Sequence, residues 1–218
     1  MRPDWKNGDP ETEAIWFDDD APVGDADQCE LCGRWTSALR SLPPYVAELE
    51  VLNGRLTDFA TATGDGFAIS ARFVALWEAA GLTGFTGFEP IRVVRVRYAL
   101  GTRQGRALVP AYVHVEVPRC RARIDEEASG AERDPDQGPV CPECRAPTIK
   151  ALDRVVLAPE SPPTTDVFRV RGIADVIVSP RFADWAAAHT ITGFRLVPAL
   201  EFSYDCEPWN KGTRVKSM

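Results

Sequence analysis

The chain is poor in histidine and methionine, two of each in 218 residues, and no apolar run approaches membrane-spanning length. A bilayer-crossing helix needs about 20 apolar residues in succession, so none is expected. His114 and His189 are the only imidazoles, and neither lies near a recognisable nucleophile motif, so both read as structural. Lysine and arginine are missing from residues 9 to 30, where nine acids fall: Asp9, Glu11, Glu13, Asp18, Asp19, Asp20, Asp25, Asp27 and Glu30. The whole chain carries -7, so the remainder sums to +2 and offers no basic footprint to neutralise phosphates. Residues 1 to 20 show neither the apolar core of a secretory signal nor the acid-poor composition of a presequence. A cytoplasmic location is therefore expected.

With 44% hydrophobic and 26% charged residues, the chain has the composition of a soluble protein with a real core. Four of its six cysteines form two pairs, Cys29-Glu-Leu-Cys32-Gly33 and Cys141-Pro-Glu-Cys144-Arg145. Each pair has the spacing of a zinc knuckle, a turn in which two sulfurs approach one metal, and together they supply a closed tetrahedral set. Gly33 eases the first turn, and the second has Arg145 instead. Residues 33 to 140 separate the pairs, against roughly 15 to 20 residues in a compact zinc ribbon. Loop-closure entropy grows only logarithmically, so a folded insertion can bridge that distance. A structural zinc held by Cys29, Cys32, Cys141 and Cys144 is the expectation, with a redox CxxC, free buried thiols or a site that has lost its metal as alternatives. Cys120 and Cys206 read as buried thiols, Cys120 being the one that a metal could recruit.

Residues 69 to 85, ISARFVALWEAAGLTGF, align without a gap on residues 178 to 194, VSPRFADWAAAHTITGF. Each copy reads as strand, helix, turn and strand, and the pair as a duplicated unit. Ser70 and Ser179 are placed as N-caps, with Pro180 at the first helical position. Phe73, Trp77 and Ala80 mark one buried helix face, and Phe182, Trp185, Ala186 and His189 the other. Thr-Gly-Phe is expected to end each helix. Arg72 and Arg181 oppose the helix dipole and call for a carboxylate partner. Alternation around Val94, Val96, Tyr98 and Leu100, and around Val113, Val115 and Val117, predicts two half-buried strands joined antiparallel through a turn at Gly101 to Gly105. Gly64-Asp65-Gly66 reads as a turn. Residues 125 to 140 form a polar loop delivering the second knuckle, and Pro159, Pro162 and Pro163 mark a turn before the second copy. The fold class is α+β, mostly antiparallel sheet, with the knuckles joining the N-terminal and middle regions. Three segments follow: acidic residues 1-28, a first unit 29-150 with both knuckles, and a second unit 151-218 packed on it in one compact domain.

The double knuckle, the run Val176-Ile177-Val178-Ser179-Pro180-Arg181-Phe182 and the following Thr192-Gly193-Phe194 resemble the double-CXXCG motif proteins, a paralogous group of myxobacteria and their relatives. The resemblance spans roughly residues 29 to 202, with Arg145 the departure from the name-giving motif. Some members are immunity proteins against toxins delivered by kin cells, and the resemblance implies that role: a non-enzymatic binder with structural zinc and a cognate protein toxin as partner. An acidic face steers toward a basic toxin, which makes Asp18, Asp19, Asp20, Asp25 and Asp27 candidate contacts. Membrane and nucleic acid are not expected partners, and a homo-oligomer is compatible with the sequence. The alternatives are a zinc-knuckle adaptor or nucleic-acid-associated module, for which only Arg92, Arg95, Arg97, Arg103 and Arg106 speak, and a thiol enzyme using Cys141 and Cys144.

Overall fold

The computed structural model describes residues 2–3, 13–17, 22–51, 55–62, 66–98 and 109–205. Six strands close into a barrel: β1 (Glu13–Phe17), β2 (Tyr45–Val51), β3 (Phe59–Ala62), β4 (Gly66–Ser70), β5 (Thr86–Tyr98) and β6 (Tyr112–Glu116). Their order around the barrel is β1-β2-β5-β6-β4-β3, with β3 returning to β1. The β2/β5 and β1/β3 pairs are parallel and the other four antiparallel, the expected β5/β6 pair among them. Burial alternates strictly along β2, so Tyr45, Ala47, Leu49 and Val51 form its buried face. Tyr45, Ala47 and Leu49 meet Ala60, Ala68, Ile91 and Tyr112 in one core. Six strands enclose less room than the roughly eight whose interior side chains just fill a barrel, which is why fully buried alanines stand at positions 47, 60 and 68.

Every residue of β4 is buried, because its two faces serve different cores. Ala68 faces the barrel core, while Phe67 and Ile69 join the helices α1 (Ala71–Ala80) and α2 (Pro180–Ala188). β6 does the same with Tyr112 and Val115, so His114, which alternates with the valines of this strand, is 2% exposed and stacks on Tyr45 at 4.1 Å between centroids. In β5 the register passes from Ala47↔Val93 to Glu48↔Arg95, which makes Val94 a bulge residue and leaves it exposed despite the alternation. The turn at Gly101 to Gly105, Leu100 and the Gly64-Asp65 pair lie outside the described residues.

A second sheet runs β7 (Arg119–Arg123), β8 (Val167–Arg171) and β9 (Val176–Val178), with β7/β8 parallel and β8/β9 antiparallel. Val167, Val176 and Val178 belong to the helix core, and Phe168, Val170 and Ile177 to a third cluster with Ile149, Leu152 and Phe202. Among the described residues the fold is thus sheet-rich with two helices, and antiparallel pairs outnumber parallel ones. As expected, the segments around residues 125 to 140 and 159 to 163 are loop, broken by a bridge from Glu132 to Ala151 and a 3-10 turn at Pro135–Gln137.

The helices meet through aromatic rings, with Trp185 5.2 Å from Phe73 and 6.2 Å from Trp77, and Phe182 6.1 Å from Trp77. Ser70 caps α1 by accepting from the Phe73 N–H at 3.1 Å, and Ser179 caps α2 by accepting from the Phe182 N–H at 3.1 Å. Each serine donates in turn to a carboxylate, Ser70 to Asp58 at 2.9 Å and Ser179 to Asp166 at 2.8 Å. The same carboxylates take Arg72 at 2.6 Å and Arg181 at 3.2 Å, the partners those arginines called for. Both carboxylates then reach across. Asp58 accepts from the N–H and hydroxyl of Thr192, and Asp166 from those of Thr83. The arginines cross over as well, Arg72 to the His189 carbonyl at 2.6 Å and Arg181 to the Ala80 carbonyl at 2.5 Å. A cation in the first turn of either helix therefore sits at the C-terminus of the other, where the macrodipole favours it.

Thr-Gly-Phe does not end the helices, contrary to expectation. Gly81, in the left-handed region at φ 60, closes α1, and His189, exposed rather than buried, caps α2. Gly84 and Gly193 instead allow close backbone approach: a Cβ on Gly84 would lie 2.0 Å from the Val167 carbonyl oxygen, and one on Gly193 1.9 Å from that of Phe59.

Candidate metal centre

Residues 22 to 42 form an antiparallel ribbon. Val23 pairs with Ser41 and Gly24 with Arg40, and further out Thr36 donates to the Asp27 carbonyl at 2.8 Å and Gln28 bridges to Trp35. At its tip the first knuckle turns tightly: the Gly33 N–H reaches the Cys29 carbonyl at 2.8 Å, and the Cys29 N–H reaches that of Arg34 at 2.9 Å. The second knuckle repeats this geometry with other residues. The Arg145 N–H donates to the Cys141 carbonyl at 3.0 Å and the Cys141 N–H to that of Ala146 at 2.8 Å. Gly33 and Arg145 hold the same left-handed backbone, φ 70 and 62. The turn thus demands positive φ after its second cysteine whether or not glycine supplies it.

The knuckles meet. One sulfur from each of Cys29, Cys32, Cys141 and Cys144 lies within 4.8 Å of all the others, Cys29 Sγ being 3.8 Å from Cys141 Sγ and Cys32 Sγ 3.6 Å from Cys144 Sγ. A tetrahedron of thiolates at about 2.3 Å from zinc has edges of about 3.8 Å, so this spacing fits that ion. The donor set is four soft sulfurs, which suits a closed structural site. Hydrogen bonds from the Cys144 and Glu143 N–H groups bring the Cys141 thiol down to about 6, and the Cys32 and Leu31 N–H groups lower Cys29. Burial among the other sulfurs pushes Cys144 up to about 12. A bound dication favours the thiolate at every position.

Arginines fasten the two turns to the body. Arg34 donates to the Gln137 carbonyl at 2.9 Å, tying the first knuckle to the loop that leads into the second. Arg171, on β8, holds the second through the Glu143 carbonyl and carboxylate, each at 2.8 Å. Behind it, Glu126 receives Arg145 and the Nε and Nη2 of Arg133 at 3.0 and 2.9 Å, while Arg133 also donates to the Arg145 carbonyl at 2.8 Å. The two guanidiniums hold the Glu126 carboxyl down at about 2.

All four predicted ligands come together. Cys120 stands outside the four-sulfur group, lining a neighbouring cleft of about 600 Å³ with Cys29 and Cys144, and burial raises its thiol. Asp25 and Asp27 are exposed on the ribbon, Asp27 paired with Arg40 at 2.6 Å. Asp18, Asp19, Asp20, Cys206, Arg103 and Arg106 lie outside the described residues. Arg95 and Arg97 both pair with Glu48, at 3.2 and 2.5 Å, which offsets the basic character of β5. Burial lowers His114 to about 4, leaving it neutral at physiological pH. Sequence reasoning missed Arg34, Arg133, Arg171 and Glu126, since nothing local sets an arginine that braces a knuckle apart from one on the surface.

Neither comparison with protein-family models nor comparison with curated proteins finds a match. Among the described residues, no helix is long and apolar enough to cross a membrane.

Proposed function

We propose that this chain is an immunity protein that binds and neutralises a protein toxin in the cytoplasm, with zinc as a structural ion in the four-thiol centre. The observation that carries this reading is the convergence of two remote knuckles to within 4.8 Å, which anchors the ribbon of residues 22 to 42 to the second sheet. A four-thiolate zinc has no open coordination position, so its contribution is to hold shape. A neutraliser needs a preorganised surface and a fast encounter rather than turnover, and clustered acids accelerate encounter with a basic partner. The double-CXXCG resemblance supplies the toxin as the class of partner.

The matched segments 69 to 85 and 178 to 194 are read as copies of one duplicated unit. Support comes from the twin serine caps, the twin carboxylates Asp58 and Asp166, and contacts in which each copy completes the other.

Co-expression with the product of a toxin reading frame found beside this gene tests the function. The expected outcome is rescued growth and a complex that survives gel filtration. Continued toxicity together with separate elution of the two proteins would overturn the reading.

A further inference from the structure

Two hollows of about 600 and 300 Å³ lie between the ribbon of residues 22 to 42 and the β7/β8 strands, and Thr36 and Arg119 line both, so they meet as lobes of one cleft. Lobes of this size hold a small molecule. The larger runs beside Cys29, Cys120 and Cys144, and the smaller reaches Gly66 and His114.

The sheet wall of the cleft is rich in arginine. β7 reads RCRAR and β8 VFRVR, with five arginines and no acid between them. Cys120 and Ala122 pack with the third cluster, as do Phe168 and Val170, which leaves the arginines to the other face. The parallel register sets Arg119 beside Arg169 and Arg123 beside Arg171, and like charges at paired positions oppose each other unless an anion offsets them. Arg169 is 8% exposed; its guanidinium lies 5.7 Å from the Phe67 ring centroid and its Nη1 donates to the Ala174 carbonyl at 3.3 Å. That side chain is therefore held in position before any ligand arrives. Across from these arginines, the ribbon lines the smaller lobe with the hydroxyls of Thr36, Ser37 and Ser41.

Acids line the cleft as well, and their places decide where an anion fits. Glu143 takes Arg171 at 2.8 Å and Asp27 takes Arg40 at 2.6 Å. Glu30 belongs to the larger lobe alone and Glu116 to the smaller alone. At the junction a third hollow of about 50 Å³ opens on Thr36 and Arg119, and its wall holds Thr148 and Arg145 but no acid. Four thiolates and one dication leave two negative charges, which Arg119 and Arg171 help to balance from the larger lobe. No sulfur lines the lobe of Arg169, so charge balance at the metal does not account for it.

We infer that this cleft binds a small organic anion, a carboxylic acid or a phosphate ester, with its oxyanion group at the junction beside Arg119 and its body in the larger lobe. A guanidinium fork suits either oxyanion, and the ribbon hydroxyls add donors. The metal centre holds one wall of the site in place. The inference goes beyond the immunity reading and does not rest on it.

The probes are phenyl phosphate, benzoate and uncharged benzamide, each titrated into the zinc-loaded, nitrogen-15-labelled full chain and followed by amide shifts. Phenyl phosphate or benzoate is expected to bind at least about tenfold more tightly than benzamide, with shifts centred on Thr36, Ser37 and Arg119. The tighter of the two tells a phosphate ester from a carboxylic acid. Arg119→Ala, at an exposed position, is expected to weaken that binding about tenfold or more at unchanged Tm and zinc content. Arg92→Ala removes an equal charge from the exposed wall of the barrel and is expected to leave binding unchanged. No preference for either anion over benzamide, shifts centred outside the cleft, or equal losses in the two variants would overturn the inference. Release of zinc in step with the titration would do so too, since the anion would then be acting on the metal. If Arg119→Ala lowers Tm, the preference and the shift map of the wild type still decide.

Discussion

Arg145 holds a backbone conformation that glycine adopts more cheaply. A non-glycine residue in the left-handed region costs roughly 1 kcal/mol, and the second knuckle turn imposes that region at φ 62. The cost is offset through its ends: the guanidinium meets Glu126, and the carbonyl accepts from Arg133. Glu126 is thus the hub of the brace, and its carboxyl, held down at about 2 by Arg133 and then Arg145, makes the brace pH-dependent. Because its folded-state value lies below the unfolded one, the unfolded chain takes up the proton first. The contribution is complete above about pH 4.3, the ordinary glutamate value, and is lost as pH falls toward 2. Glu126→Gln is expected to lower stability by roughly 2 kcal/mol at pH 7. In thermal melts at stepped pH, the gap between wild type and variant should close between pH 4.5 and 2. A gap independent of pH would show that the Glu126 charge does not support the knuckle.

Among the elements, the helix pair was the most legible part of the fold. Serine capping is local, so Ser70 and Ser179 announce their helices, and the 3.6-residue period brings Phe73 and Trp77 onto one face and Phe182 and Trp185 onto another. The carboxylates at the pivots were not legible, because Asp58 and Asp166 act on threonines from the other end of the chain, and no periodicity records that. Barrel closure escaped for a related reason: the β2/β5 and β1/β3 pairs are parallel and non-local. The strand of His114 is buried on both faces rather than half-buried, because alternation reports which residues share a face but not whether the second face is also covered. Gly84 and Gly193 test how tightly the two segments are locked. Gly193→Ala is expected to lower Tm by about 5 to 10 °C, since a Cβ there would lie 1.9 Å from a backbone oxygen at φ 102. Gly87 is the control, at φ 83 with nothing within 4 Å of its Cβ, and Gly87→Ala should lose only the roughly 1 kcal/mol of left-handed strain. Equal losses at the two sites would mean that the close approach is not a constraint.

At the scale of the whole molecule, two kinds of cohesion divide the work. The barrel, the helix pair and the second sheet are joined by continuous apolar cores, whereas the ribbon contributes Cys29 to the buried set and depends on sulfur and a few arginine contacts. Cysteine spacing made the thiol cluster legible. That its effect is to anchor a ribbon was not, because the spacing of ligands says nothing about how much core each knuckle carries. A metal whose binding energy is folding energy should then stabilise the ribbon more than the barrel. Purified protein is expected to carry about one zinc per chain, and Cys32→Ser to lose it. On chelation, trypsin should cut first after the exposed Arg40 and the nearby Arg34, with the barrel and helices surviving as a nicked, associated body in which β1 lies on the shorter piece. Far-ultraviolet circular dichroism should change little over the same interval. If the metal-free chain is instead cut everywhere at one rate and loses its secondary structure together, the four thiols hold up the whole fold, and the division between a self-sufficient body and a metal-anchored ribbon is wrong.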